Sequence, residues 1–163
     1  RVFHADTQLP LCALKESQPQ LTPMSNKPAA GEIAVAVVGA HLSGLPLNGE
    51  LRALGGRLLQ ATKTAPDYRL YALNGTVPPK PGLLRVDNGK GVGIDVEVWA
   101  RPLDVFGEFI GAVQTPLSIG TVKLANGHGV KGCLVEAVAI TGARDISSFG
   151  GWRAFLAQEK LTA

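Results

Sequence analysis

His41 is the side chain best placed in this sequence to move a proton. It stands in IAVAVVGAHLSGLPL (33–47), two residues past the glycine that ends an apolar, β-branched run. An imidazole donates or accepts a proton near neutral pH. The same position also suits a ring that only hydrogen-bonds loop backbone, and position alone leaves both readings open. The N–H groups around Gly39, Ala40, Leu42 and Gly44 could line an anion pocket. A plain tight turn between strand and helix is the competing account. GAHLSG is not a phosphate loop, because no Lys-Ser or Lys-Thr follows Gly44 and no GxGxxG occurs. His4 lies in an irregular arm and His128 in a turn sequence, so both are expected in solvent. Three scattered histidines make no metal site.

Cations and phenols form a second set. Lys63, Tyr68 and Arg69 surround a predicted hairpin, Lys80 and Arg85 bracket KPGLLR, and Arg144 and Arg153 flank the last predicted helix. A small carboxylated ligand needs one or two such groups, ideally a bidentate Arg. Each taken singly also reads as a surface charge, and Arg153 could simply stack on Trp152. Carboxylates are the third set: Glu97, Glu108 and Glu136. Glu136 stands alone in CLVEAVAI, so it is expected to be buried or at a strand end. A buried carboxyl needs a partner or a raised pKa. There is no GxSxG and no Ser–His–Asp set to support a serine nucleophile.

Strands and short helices must position these groups. The run IAVAVVG reads as a central strand. Asn48 is a candidate N-cap for a helix through Glu50, Leu51 and Leu54, which Gly55-Gly56 ends. RLLQATKT and YRLYAL read as two strands joined by Ala65-Pro66-Asp67. NGTVPPKPG is a rigid loop, GLLRVD a short strand, and Asn88-Gly89 a tight turn. In IDVEVWARP, Ile94, Val96 and Val98 share one face and Asp95, Glu97 and Trp99 the other. Pro102 opens a helix with Leu103, Phe106 and Ile110 on one face. IGTVKLANGHGVKGCLVEAVAI is a hairpin turning at Asn126–Gly127–His128–Gly129, and Ser148 is a candidate cap for a helix carrying Trp152, Phe155 and Leu156. The sum predicts an α+β domain: a mixed, mainly antiparallel sheet or open barrel with short helices.

The bulk properties bound the function classes. The 163 residues are 45% hydrophobic and 18% charged, enough for one domain with a real core. Net charge is +3 and no Lys/Arg run or aromatic ladder occurs, which argues against nucleic acid. A weakly basic chain suits a small anion. Cys12 and Cys133 are far apart, so no disulfide framework or structural zinc is expected, and Cys133 reads as a core residue. No apolar run is long enough to span a membrane, and no signal peptide is seen, so a cytoplasmic location is expected. The chain begins at Arg1 without an initiator Met, as expected of a piece of a longer polypeptide.

Taken in order, VVGAHLSGLPLNGEL, TAPDYRLYAL, KPGLLRV, PLSIGTVKLANG, VKGCLVEA and DISSFGGWRAFL resemble the C-terminal domain of allophanate hydrolase and of urea amidolyase. The resemblance runs over roughly residues 33–156. It implies that residues 32–163 are that domain and that residues 1–31 are an arm or linker, with VFHADTQLPLCAL similar to the tail of a preceding amidase domain. The Gly/Ser-rich amidase signature is absent, so the chain alone is not expected to hydrolyse allophanate. The fold is similar to that of γ-glutamyl cyclotransferases, whose substrate site would match VVGAHLSG. Their catalytic Glu after an LD dipeptide is not matched: Leu103-Asp104 is followed by Val105-Phe106-Gly107, and Glu108 comes later. The pocket location transfers and the chemistry does not.

What the resemblance implies is a cofactor-independent decarboxylase acting on N-carboxycarbamate, the dianion left when allophanate loses ammonia. His41 matches the histidine of the family's GAH motif and would be the general acid. Gly39, Ala40, Leu42 and Gly44 would hold one carboxylate, Lys80 or Arg85 the other, and Tyr68 would orient the substrate. The expected partners are that small dianion and the amidase domain of the same polypeptide, with a homodimer left open. The alternative is a non-catalytic module that assembles or dimerises the amidase.

Overall fold

A computed structural model describes residues 25–163. The expected arm over residues 1–24, with His4 and Cys12, lies outside the described residues. Five strands form the main sheet in the order β2 (Arg57–Lys63), β5 (Asp95–Pro102), β1 (Glu32–Val37), β7 (Gly129–Val135) and β6 (Leu117–Lys123). The β1–β7 pairing is parallel and the others are antiparallel. A three-stranded sheet holds β4 (Pro81–Arg85), β3 (Tyr68–Ala72) and β8 (Arg144–Asp145). One bridge between Thr64 and Leu124 links the outer strands of the main sheet beyond their ends, so the sheet curls into an open barrel. Helices α1 (Asn48–Ala53), α2 (Leu103–Ala112) and α3 (Trp152–Leu161) complete the expected α+β architecture. No helix among the described residues is long and apolar enough to cross a membrane.

The apolar run 33–38 becomes β1 because a strand paired on both edges needs apolar side chains on both faces. The core gathers Val37, Leu42, Leu51, Tyr68, Leu70, Ile94, Trp99 and Ile146. The β6–β7 hairpin turns where expected: Leu124 N–H donates to the His128 carbonyl, and the Asn126 side chain accepts from His128 N–H. Gly127 takes the positive φ that this turn requires.

Several local expectations are corrected. β2 and β3 do not form a hairpin; β2 pairs with β5 and β3 with β4 and β8. Ala65-Pro66-Asp67 therefore carries the chain between two sheets. β7 ends at Val135, so Glu136 takes the strand-end place of its two expected ones and is exposed there, and the chain turns into a short 3-10 helix, Ala137–Ile140, in place of continuing the hairpin. Asn48 begins α1 instead of capping it, and α3 starts at Trp152 behind Gly151, so Ser148 caps nothing there. Asp95, Glu97 and Trp99 share a face of β5 as expected, and on it Glu97 and Trp99 are both buried. Cys133 is half-buried between strands, and burial pushes its thiol pKa up while nearby Lys80 opposes this.

Candidate active site

The chain leaves β1 and passes through residues 38–47 as a stack of tight turns. Leu42 N–H donates to Gly39 O at 2.9 Å, Leu45 N–H to Leu42 O at 3.0 Å, and Leu47 N–H to Ala40 O at 2.9 Å. Gly39 lies under β4: a Cβ there would stand 2.5 Å from Pro81 Cδ. Glycine thus lets the Lys80–Pro81 segment rest on the loop. Asn48 fixes the main chain of His41, donating from Nδ2 to the His41 carbonyl at 2.9 Å while its Oδ1 accepts from Arg52 Nε at 3.1 Å.

With its backbone pinned, His41 presents a ring 26% exposed. Its Nε2 is 3.7 Å from Glu50 Oε2, on the first turn of α1. Its edge meets Phe109 of α2, with ring centres 6.1 Å apart at 82°. On the same Phe109 lies the guanidinium of Arg101, its central carbon 4.5 Å from the ring centre. Burial pushes the His41 pKa down. Glu50 opposes this, whereas the charges of Lys80 and Arg101 push it lower still. His41, Glu50, Lys80, Arg101 and Phe109 thus form one cluster where β1, α1, β4, β5 and α2 converge.

Arg101 is the unexpected member. It is 2% exposed, and its Nε is buried without a hydrogen-bond partner among the described residues. Burial lowers its pKa, yet a guanidinium stays charged at any ordinary pH. Buried cations normally have a carboxylate beside them; this one has an aromatic face. The sequence did carry a signal for it. In IDVEVWARP, Arg101 falls on the alternating face of Asp95, Glu97 and Trp99, a cation in a central strand.

The other expected site residues separate. Lys80 is near enough to His41 for its charge to push the ring's pKa down. Tyr68 and Arg85 face each other in the β3–β4 register, at the far end of β4 from Pro81. A rise of roughly 3.3 Å per residue puts them about 13 Å from the Lys80 end. Tyr68 is fully buried, and its hydroxyl accepts from Lys123 N–H at 2.8 Å. Arg85 pairs with Asp67 at 3.2 Å. Leu42 gives its N–H to Gly39 and its side chain to the core, leaving neither for a ligand. The N–H groups of Ala40, His41 and Gly44 have no acceptor among the described residues.

Two hollows lie elsewhere. One of about 1280 Å³ is lined by Asp67, Arg69, Arg85, Asp87 and Lys90 among others, and one of about 360 Å³ by Leu42, Glu97, Trp152 and Arg153 among others. Neither includes His41, whose ring is 26% exposed. In the larger hollow Arg69 pairs with Asp145, Arg85 with Asp67 and Lys90 with Asp87. Those three cations are already neutralised. Arg101, with no carboxylate partner among the described residues, lies instead in the His41 cluster. No cluster of three or more His, Cys, Asp or Glu suited to a metal occurs among the described residues.

A sequence profile described as the allophanate hydrolase C-terminal domain matches residues 33–157. The chain belongs to this family. It is 41% identical over 147 residues to urea amidolyase of Saccharomyces cerevisiae, covering 88% of this chain and 8% of that protein. The crystal structure of an S177A allophanate hydrolase of Kluyveromyces lactis superimposes with a TM-score of 0.73 at 44% identity, over 76% of this chain and 21% of that one. The chain therefore spans a small part of these larger polypeptides. An E. coli protein, c4763, superimposes with a TM-score of 0.70 at 35% identity, over 77% of this chain and 96% of that one. The allophanate hydrolase C-terminal fold is thus also found as nearly a whole chain.

Proposed function

We propose that this domain decarboxylates N-carboxycarbamate to carbamate, with His41 as general acid. The observation that carries the reading is Arg101, a buried cation with no carboxylate partner among the described residues, packed on the same Phe109 ring that His41 meets. The substrate has two carboxylates on one nitrogen. Arg101 holds one carboxylate, and Lys80 with the amides of Ala40 and His41 holds the other. As one C–N bond breaks, its electron pair moves to nitrogen and the His41 proton follows it. CO2 departs and carbamate remains. Without protonation, nitrogen would leave as an unstable anion. A positioned acid contributes about 100- to 10,000-fold, and charge fixed in a partly dehydrated site adds stabilisation that water cannot supply.

The test replaces His41 with Ala. The substrate is generated in place by an active amidase, and CO2 is followed against ammonia. Release of CO2 is expected to fall to the unassisted rate while circular dichroism shows the fold retained. A variant that keeps the wild-type rate removes His41 from the reaction.

One observation favours a second reading, an assembly module for the amidase. α2 is rich in apolar residues, yet none is fully buried, and Leu103 and Ile110 stay 53% and 45% exposed. If the wild-type domain leaves CO2 release unchanged but alters amidase turnover or co-elutes with it, this second reading stands instead.

A further inference from the structure

A polar cluster around Glu97 holds the His41 loop at Ser43. Glu97, at the centre of β5, has a carboxylate only 6% exposed. Its Oε2 accepts from Ser43 N–H at 2.9 Å, Ser43 Oγ at 2.9 Å and Trp99 Nε1 at 3.0 Å. Its Oε1 accepts from Arg153 Nη2 at 2.7 Å, and that same nitrogen donates to the Ser43 carbonyl at 2.6 Å. Burial pushes the Glu97 pKa up, but the bonds from Arg153, Ser43 and Trp99 outweigh burial and hold it below the usual carboxylate range. Ser43 is thus gripped through its N–H, hydroxyl and carbonyl, two residues from His41.

We propose that Glu97 is a positioning residue for the active site, latching the His41 loop to α3 through Ser43 and Arg153. The proposal rests on the reading of His41 as the acid. A burial-only role for Glu97 does not explain the arrangement, because an apolar residue would fill the same space without four donors to satisfy. Both carboxylate oxygens accept hydrogen bonds, four in all, and the donors come from three parts of the chain: the loop, β5 and α3. Glutamine cannot replace it, since its NH2 group would face either Arg153 or the Ser43–Trp99 donors. The latch fixes the loop from beneath while Asn48 fixes it from the side. Together they set where the imidazole stands relative to Arg101.

Arg153 gives the cleanest test, because its side chain is 46% exposed and its loss is less apt to unfold the domain than loss of Glu97. Arg153→Met, Arg153→Lys, Ser43→Ala and Glu97→Gln are compared in the full chain by thermal melting, steady-state CO2 release and NMR titration of the His41 ring. Arg153→Met is expected to lower kcat on the order of tenfold with little change in KM, because a slightly misplaced acid loses rate without losing binding. It should also alter the His41 titration, with Arg153→Lys restoring part of both. Ser43→Ala should show the same pattern more weakly. Wild-type kcat and an unchanged His41 titration in a folded Arg153→Met and Ser43→Ala overturn the latch. If the wild-type domain releases no extra CO2, the decarboxylase reading fails by itself. The ring titration then decides the latch: a shifted curve supports it and an unshifted one overturns it.

Discussion

Arg101 lies against the face of Phe109, 4.5 Å from the ring centre, with its Nε sealed from solvent and unpartnered among the described residues. An aromatic face offsets only part of what a guanidinium loses on leaving water. Such a group is poorly justified by stability and well justified by an incoming anion. The expected consequence is a trade of function against stability. Arg101→Met should leave the melting temperature unchanged or higher, since an apolar chain of similar length replaces an unpaired buried charge. The same variant should lose at least tenfold in affinity for malonate, which carries two carboxylates on one carbon, about 1.4 kcal/mol. Calorimetric titration with malonate and thermal melting check both halves. A large fall in melting temperature with unchanged malonate binding would show that Arg101 serves the fold alone.

The His41 ring should change its charge when a dianion arrives. Burial, Lys80 and Arg101 hold its pKa below the usual value, against the pull of Glu50, so the free ring is mostly neutral at pH 7. A dianion beside Lys80 and Arg101 cancels the charges that depress it. NMR titration of the ring should show its pKa rising with malonate, and calorimetry in buffers of different ionisation enthalpy should show proton uptake. Glu50→Gln should lower the pKa of the free ring further. The stability sign follows from the same shift. A depressed folded pKa means that stability is retained above the unfolded value of about 6.5 and is lost as pH falls below it.

How much of this was legible in sequence depends on how local the signal was. β1 and the β6–β7 hairpin carry their cause within a few residues, in a β-branched run and in Asn126-Gly127, and both fold as read. β2 and β3 share a turn sequence between them, but β2 finds β5 more than thirty residues away. Nothing local in RLLQATKT names that partner. The same blindness affected the site. Lys80 and Arg85 look equivalent on either side of PGLL, yet the strand between them sends one toward His41 and the other to Asp67. Arg101 shares a face with Glu97 and Trp99, and its burial depends on α2, whose Phe109 lies against its guanidinium. Glu97 was visible as a carboxylate in a strand, but its donors Ser43 and Arg153 lie 54 and 56 residues away.

Acid should weaken the fold through Glu97. Its carboxyl pKa is held below the ordinary range by hydrogen bonds that outweigh burial, so its contribution is complete above about pH 4.3 and is lost as pH falls through the lowered value. The melting-temperature gap between wild type and Glu97→Gln should be wide at pH 7 and close toward pH 3. Asp145 has a lowered pKa as well: burial raises it, but bonds from Ser147 and Arg69 prevail. Some acid sensitivity should therefore persist in the variant. A gap that stays constant from pH 7 to pH 3 would mean that the Glu97 charge does nothing for stability.

Gly39 should tolerate no side chain, for a reason that joins packing to the site. A Cβ at this position would lie 2.5 Å from Pro81 Cδ and 2.9 Å from Pro81 Cγ. The proline ring cannot swing aside as a flexible chain would, so β4 must move off the loop. Pro81 follows Lys80 directly, and Gly82 behind it is itself closed in by Val135 and Leu73 side chains. The strand has little room to retreat. Gly39→Ala is therefore expected to destabilise the domain by about 1–3 kcal/mol, as overpacking does. It should also carry the Lys80 ammonium away from His41. With one depressing charge withdrawn, the ring pKa of the folded variant should rise relative to wild type, readable by NMR without any substrate. An alanine variant with wild-type melting and an unmoved His41 titration would show that the loop and β4 are not held in contact through this glycine.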